Sequence, residues 1–565
     1  MTTRPELSLP SSRLRIFFWS VAALLGLLEV WARRFEMNSD AIAYMDIGDA
    51  YFRGDWAAAV NSYWSPLYSW ILGLSFWVTK PSPYWETTVA HLANLAIFFF
   101  ALASFELLLR EILRGHMEGA TSISPGHESL IDHGNSWLIL AYVLFLYMSQ
   151  EWVRLRFLTP DLLMAGFLFA AAAMTLRVRR VRSWWSYALL GAVLGLGFLS
   201  KTPMFIMAFV FLAVVALPLR SPRAVAGAFL AFVVFAATAG PYILAISTAK
   251  NRFTFGDSAS LNFLVRFPPL DQWFQQPRPE HYQKRLFDSP PIYDVHSPPG
   301  VTFAPWNDPA GWSKDRAPES FARTIPRPSW RGNLENYFEL LIKEQGALLA
   351  ALMALWLLSG RRWLVGADVM TAWPVLLPVA VGLAMFLVAH VEARYVAGFF
   401  VLLWVALLAA VRLPREGWQR LAASCILLGA ALALSPAFPK TIGGSLALMA
   451  SSRGNLDWEA ADGLHQMGLP SGTPVVAVGH VRRAYWARLG GFRIVGEIHT
   501  EHAHAFLLAD SDMTQAMLQA IAPTGARAIV SDVRPGPHSA LQWQRIGHTD
   551  FFVVLLPQAV ESPPK

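Results

Sequence analysis

Two stretches, Ala224–Ala249 and Ala372–Ala389, contain no charged side chain and are long enough to cross a bilayer, which takes about 20 apolar residues. Backbone polar groups inside hydrocarbon must bond to one another, so such stretches read as transmembrane helices. The composition agrees: 55% of the 565 residues are hydrophobic and 15% are charged. Soluble proteins carry roughly 25% charged residues, so an ordinary soluble globule is excluded. The 23 Trp and 37 Phe suit a polytopic membrane protein, because aromatic rings gather at the two membrane–water interfaces. The net charge of +7 does not indicate nucleic acid, since Arg recurs in short clusters between the apolar stretches. One cysteine, Cys425, excludes an intrachain disulfide and leaves the redox compartment open.

Candidate spans fall near 14–32, 85–109, 136–149, 161–176, 184–199, 203–219, 223–247, 345–359, 371–389, 395–411 and 418–436. The apolar piece Pro66–Thr79 is short for a crossing and suits an interfacial or re-entrant segment. Charge distribution supports that reading. If Pro66–Thr79 does not cross, one side collects Arg110 and Arg114, then Arg177, Arg179, Arg180 and Arg182, then Arg220 and Arg223, Arg361 and Arg362, and Arg412, Arg415 and Arg420. The opposite short connections hold only Arg154, Arg156, Lys201 and Arg394. A crossing there would invert every later loop and break the positive-inside rule, so about eleven spans are expected, with a cytoplasmic N-terminus and an extracytoplasmic C-terminus. Arg33 and Arg34 count against this orientation, but the later loops outweigh them. Ile16–Ala32 follows Arg13 and Arg15 as a signal peptide would, yet no small-residue cleavage pattern follows it, so it is expected to remain as the first span.

Two large pieces are then expected outside. Residues 250–343 are rich in proline and aromatics, with turn chemistry at Ser289-Pro290-Pro291 and Ser297-Pro298-Pro299-Gly300, and read as an ordered lid. Residues 440–565 read as a small soluble α/β domain, with short strands at Pro474–Val478, Arg493–Val495, Ala528–Val530 and Phe551–Leu556 and a helix at Met513–Ile521. Residues 1–436, with outer loops 33–84 and 250–343, form the membrane module.

The chemistry-bearing residues collect on the outer side. In the loop after the first span, Ser39 or Asp40 suits a helix N-cap, and Ile42, Met45 and Ile47 give an interfacial amphipathic helix ended by Gly54. Asp40 can also be read as a carboxylate held near the bilayer to act as a base, whereas Asp46, Asp49 and Asp55 read as the solvated face. Arg156 and Asp161 fall at the entry to one span, Lys201 in the turn Ser200-Lys201-Thr202-Pro203, and Glu392, Arg394 and Tyr395 in another outer turn. Charges at membrane depth usually pair, line a cavity or work. A lipid-linked phosphate would suit this set, with Arg and Lys holding the phosphate as leaving group, a carboxylate deprotonating the acceptor, and the prenyl tail lying between spans. There is no Walker loop and no HExxH. The run from Glu497 to His504, with His499, His502, His504 and Glu501, fits no strong metal-ligand spacing, and Gly195-Leu196-Gly197 reads as helix packing.

Several segments resemble the GT-C glycosyltransferases, in particular the protein-mannosyltransferase and aminoarabinose-transferase-like group. They are Ser39-Asp40 with Tyr44, Tyr63-Trp64-Ser65-Pro66-Leu67-Tyr68, Arg156 with Thr159-Pro160-Asp161, the stretch Gly195–Pro203, and Glu392-Ala393-Arg394-Tyr395. The likeness covers roughly residues 14–410. It implies a helical polytopic GT-C-like fold that takes polyprenyl-phosphate sugars at an outward-facing site. It further implies Asp40 as catalytic acid/base and Asp161 as the second outer acid, with Lys201 and Arg394 at the lipid phosphate. Tyr44, Arg156, Glu392 and Tyr395 complete the expected substrate-binding set. A divalent cation, Mg or Mn, is admitted as a cofactor, and no organic cofactor is expected. One departure stands out: Ala41 follows Asp40 where many members carry a second acid.

The expected partners are the polyprenyl-phosphate sugar donor, membrane lipids and an extracytoplasmic acceptor, with no nucleic acid. A transporter or lipid flippase is the chief alternative. It would show repeated halves and Gly/Pro-broken helices at corresponding positions, and the sequence has neither.

Overall fold

The computed structural model describes residues 12–119, 127–133, 135–217, 222–258, 284–295, 297–309, 330–359, 365–414, 417–451, 454–537 and 539–557. Arg220, Arg361, Arg362 and Arg415, and the stretches 259–283 and 310–329 of the expected lid, lie outside the described residues.

In chain order the helices are α1 (Ser12–Ala32), α2 (Ser39–Arg53), α3 (Pro66–Thr79), α4 (Pro83–Gly119), α5 (Ser136–Tyr147), α6 (Asp161–Val181), α7 (Trp184–Ser200), α8 (Met204–Ala216) and α9 (Pro222–Ala249). Then come α10 (Trp330–Phe338), α11 (Gly346–Leu358), α12 (Trp373–Val388), α13 (Ala393–Ala410), α14 (Gly417–Leu434) and α15 (Ala437–Ala450). Every expected span therefore coincides with a helix. Among the described residues, six helices are long and apolar enough to cross a membrane, or seven if the pair Trp330–Glu344 and Gly346–Leu358, bent by 71°, counts as one span. The helices α7, α8 and α12 are apolar but shorter. The architecture is that of a multi-pass helical membrane protein.

The chain divides into two compact units, one of residues 1–33, 94–255 and 328–450, the other of residues 34–93, 256–327 and 451–565. In the first, α6 is the most enclosed span, with 89% of its apolar window buried. Small residues allow this. A Cβ on Gly191 of α7 would fall 2.9 Å from the Val234 side chain of α9, and one on Gly195 would fall 2.7 Å from the Thr238 methyl, so both serve helix packing, as expected for Gly195.

One end of this bundle gathers the basic clusters. Buried Glu111 pairs with Arg180 at 2.8 Å, Arg114 at 3.0 Å and Arg177 at 3.8 Å. Buried Glu106 pairs with Arg110 and with Arg15 at 2.7 Å. Arg179 donates to the Val214 carbonyl at 3.0 Å and lies over the Trp373 ring. The start of α1 and α12 and the ends of α4, α6 and α8 thus share one end, matching the expected charge sorting.

In the second unit, α2 and α3 pack against each other at a glycine crossing. A Cβ on Gly48 would come within 2.7 Å of the Ser69 carbonyl, and one on Gly73 within 2.7 Å of the Gly48 carbonyl. Asn38 takes the N-cap position of α2, so neither Ser39 nor Asp40 is the cap, and Gly54 ends the helix at φ 75° as expected. The same unit contains α16 (Leu456–Gln466), α17 (Tyr485–Leu489), α18 (Thr500–Leu507) and α19 (Ser511–Ile521). A seven-stranded sheet runs through it.

Strand β1 (His127–Ser129) pairs with β4 (Arg412–Pro414) in the first unit. The large sheet takes β2 (Lys284–Asp288), β3 (Pro291–Asp294), β5 (Pro474–Gly479), β6 (Arg493–His499), β7 (Ala528–Ser531), β8 (Gln544–Arg545) and β9 (Phe552–Leu555), in the order β2-β3-β6-β5-β7-β9-β8. Its middle, β6-β5-β7, is parallel and both flanks are antiparallel. Side chains alternate between faces, as a pleated strand requires. Val475 and Ala477 join Trp486 and Phe492 on one face, while Val476 and Val478 join Phe506, Met517 and Ile521 on the other. All four expected strands and the helix at 513–521 are present. The sequence reading did not place β2 and β3 here. They come from the expected lid and pair through β3 Tyr293 opposite Glu497.

A Gly73→Val substitution puts a branched side chain against the α2 backbone, an overpacking that costs roughly 1–3 kcal/mol. A lower melting temperature in detergent is the expected result, with Gly54→Ala, where nothing lies within 4 Å of the added Cβ, as a comparison limited to its backbone strain.

Candidate active site

At the end of the first unit opposite the basic clusters, several turns bring their charges together. Asp161 opens α6 and is 1% exposed. Lys201 closes α7, where its backbone N–H donates to the Gly197 carbonyl at 3.1 Å, and the turn into α8 follows at once. The Lys201 ammonium pairs with Asp161 Oδ1 and sits 3.9 Å from the centre of the Tyr395 ring. Arg394 Nη1 lies 3.7 Å from Asp161 Oδ2, its Nε donates to Glu392 at 2.8 Å, and its Nη2 donates to the Tyr395 hydroxyl at 3.1 Å. His390 Nε2 lies 2.8 Å from Glu392 Oε1. Burial pulls the Lys201 ammonium below its usual range, although Asp161 opposes the shift.

Five of the sequence-predicted residues, Asp161, Lys201, Glu392, Arg394 and Tyr395, therefore form one cluster. Asp161 faces two cations, Lys201 and Arg394. A divalent cation does not suit such a carboxylate, already neutralised by Lys201 and Arg394. Arg156 stands in the turn that leads to Asp161. Asn94 of α4 donates to the carbonyls on both sides of it, Leu155 at 2.7 Å and Phe157 at 3.1 Å, and so fixes its backbone. Starting one turn from Lys201, α8 and α12 flank an open apolar groove of about 590 Å³, lined among others by Phe205, Phe209, Phe255, Leu377 and Val381. Phe205 lies one turn beyond Lys201, and its N–H donates to the Thr202 carbonyl at 2.9 Å.

Asp40 and Tyr44 belong to the second unit. Asp40 is half-buried in the first turn of α2 and lies within electrostatic reach of Tyr485. Tyr44 is 4% exposed, with its ring edge-on to Trp64 at 4.9 Å and Tyr68 at 5.0 Å. That places it in the packing between α2 and α3. Asp46 departs from the solvated face expected for it. It is 2% exposed, accepts from the Thr302 N–H at 2.8 Å, and pairs with Arg488 at 2.7 Å. Asp49 pairs with the same guanidinium at 2.5 Å, and Asp55 caps a helical turn by accepting from Ala58 N–H.

Arg488, which also pairs with Glu86, carried no signal in the sequence, since its partners lie about 400 residues away. Among the described residues, no three His, Cys, Asp or Glu side chains are arranged to hold a metal ion. In the 497–504 run, His499 pairs with Glu497 at 2.8 Å and His502 with Glu501 at 3.4 Å.

The comparisons with known proteins agree with the resemblance carried by the motifs. The family model of dolichyl-phosphate-mannose-protein mannosyltransferases matches residues 135–239, which include Arg156, Asp161 and Lys201. No curated protein sequence matches the chain. Among solved structures, the chain is similar to ArnT from Cupriavidus metallidurans in the apo state, at 15% identity and a TM-score of 0.42, over 96% of this chain and 98% of that one. It is similar to the same protein bound to undecaprenyl phosphate at 14% identity and a TM-score of 0.44, with the same coverage. Superpositions this loose assign no residue roles.

Burial raises the Asp457 carboxyl to about 7, against a lowering hydrogen bond from the Trp486 backbone. Between the ordinary carboxylate range near pH 4 and about 7, the folded chain holds a proton that the unfolded chain has lost, so stability falls as pH rises across that window and levels off above it. Asp457→Asn should flatten this slope, which melting temperatures taken in detergent at pH 5 and pH 8 would show.

Proposed function

We propose that the protein is a membrane glycosyltransferase that moves a sugar from a polyprenyl-phosphate donor to an acceptor on the extracytoplasmic side, with inversion at the anomeric carbon. The observation that carries this reading is the convergence of Lys201 and Arg394 on Asp161 near the open apolar groove of α8 and α12. A prenyl tail suits such a groove, and its phosphate suits the two cations at headgroup depth. The match to a family named for a dolichyl-phosphate sugar supports the same donor class. The basic clusters at the opposite end support a cytoplasmic placement of that end.

In this mechanism Lys201 and Arg394, with Arg156, hold the phosphate and stabilise the charge that develops as it leaves. Asp161 keeps Lys201 and Arg394 oriented. Glu392 competes with the phosphate for Arg394, and Tyr395 supplies the aromatic surface on which both cations rest. Asp40 takes the proton of the acceptor hydroxyl as its oxygen attacks the anomeric carbon. A single displacement of this kind breaks the sugar–phosphate bond, releases the polyprenyl phosphate and inverts the centre. No step needs a metal ion.

Two variants in lipid test this. Asp40→Asn should lower transfer by about 10²–10⁴-fold, the usual contribution of a general base, while donor binding persists. Lys201→Ala should weaken polyprenyl-phosphate binding by roughly one to two orders of magnitude, the equivalent of one charged hydrogen bond of about 1.5–3 kcal/mol. A donor panel that is neither bound nor consumed would sink the reading.

A further inference from the structure

We infer that Arg488 is a positioning residue for Asp40, fixing α2 through Asp46 and Asp49; this rests on the reading of Asp40 as the base. The C-terminal residues would then belong to the catalytic apparatus, since α17 carries the side chain that orients the helix of the base.

Three facts lead there. First, α17 is rooted in the sheet. Trp486 is 2% exposed, Ala487 is fully buried, and both pack with Phe492 and Ile494 on one face of the strands. Second, Arg488 leaves that root and forks onto α2. Its Nη1 donates to Asp46 at 2.7 Å and its Nη2 to Asp49 at 2.5 Å, with Glu86 at the start of α4 completing the cluster. Two carboxylates three positions apart on one helix, each held by a different guanidinium nitrogen, fix both the rotation of α2 and its position along its axis. A planar fork does this, whereas an ammonium supplies only a point charge. The carboxylate of Asp46 also accepts the Thr302 hydroxyl at 3.1 Å, so the segment after β3 grips the same point.

Third, Asp40 precedes Asp46 by six residues on one unbroken helix, about 9 Å at 1.5 Å per residue. Tyr485, on α17 itself, lies within electrostatic range of Asp40. On the far side of Asp40, His91 of α4 bonds the Glu36 carbonyl at 2.8 Å.

Without the guanidinium, Asp46, Asp49 and Glu86 would be left as mutually repelling acids, and α2 would shift. A displacement of about 1 Å costs on the order of a hundredfold in rate when it misaligns a reacting group. Donor binding, assigned to Lys201 and Arg394, would be spared.

The test uses full-length protein in lipid with the donor found active for the wild type, comparing Arg488→Gln, Arg488→Lys and Asp46→Asn. Arg488→Gln should lose about a hundredfold in kcat with an unchanged donor KM, and Arg488→Lys should recover part of it. Hydrogen exchange across residues 39–53 should speed up in Arg488→Gln while residues 161–181 keep their protection. Wild-type kcat in Arg488→Gln, unaltered exchange in α2, or a rise in donor KM that accounts for the whole loss would each overturn the proposal. If Arg488→Gln does not fold, Asp46→Asn decides, because full kcat in that isosteric variant also overturns it. If the wild type transfers nothing from any polyprenyl-phosphate donor, the base reading of Asp40 fails, and exchange in α2 still decides whether Arg488 fixes that helix.

Discussion

The cost of taking charge out of water organises both units of this protein. An isolated charge away from solvent costs several kcal/mol, and removing one partner of a buried pair exposes that cost. The chain meets this constraint at helix ends. Glu106 and Glu111 draw five arginines to one end of the membrane bundle. Asp161 draws Lys201 and Arg394 to the other. Both sets tie together helices distant in sequence, and the second also forms the cationic surface a phosphate needs. Stability and proposed chemistry rest on the same ion pairs.

In the other unit the relation is reversed, with one cation surrounded by three acids. Burial raises the Asp46 carboxyl even with Arg488 beside it, so this cluster is short of positive charge. Its value lies in geometry, because a forked, nearly enclosed side chain holds together segments from three separate parts of the chain. The aromatic contacts of Tyr44 with Trp64 and Tyr68 work in the same direction, replacing sliding surfaces by interlocked rings.

What the sequence made legible follows from the range of each interaction. The spans were readable because hydrophobic length is a local property, and the strands at 474, 493, 528 and 552 because their alternation and turns are local too. The cluster at Asp161, Lys201 and Arg394 was readable by a different route, since charge in a turn between apolar stretches is conspicuous wherever its partners lie. Asp46 could not be read in this way. On a helix whose polar face also carries Asp49, it looks like an ordinary solvated acid, and only the fold brings Arg488 across 442 residues to bury it. Strands β2 and β3 were missed for the same reason, because their pairing partner β6 arrives some two hundred residues later. Capping shows a smaller limit: Asn38, Ser39 and Asp40 are all competent caps, and sequence chemistry does not say which one the backbone uses.

The sheet-bearing unit is assembled from three stretches, 34–93, 256–327 and 451–565. A lipid bilayer cannot pass through a folded body, so all three stretches must emerge on the same face of the membrane. The polypeptide must then traverse the bilayer an even number of times between the first and second stretch, and again between the second and third. That requirement comes from β-strand pairing and side-chain contacts within this unit, and it is independent of where arginine falls.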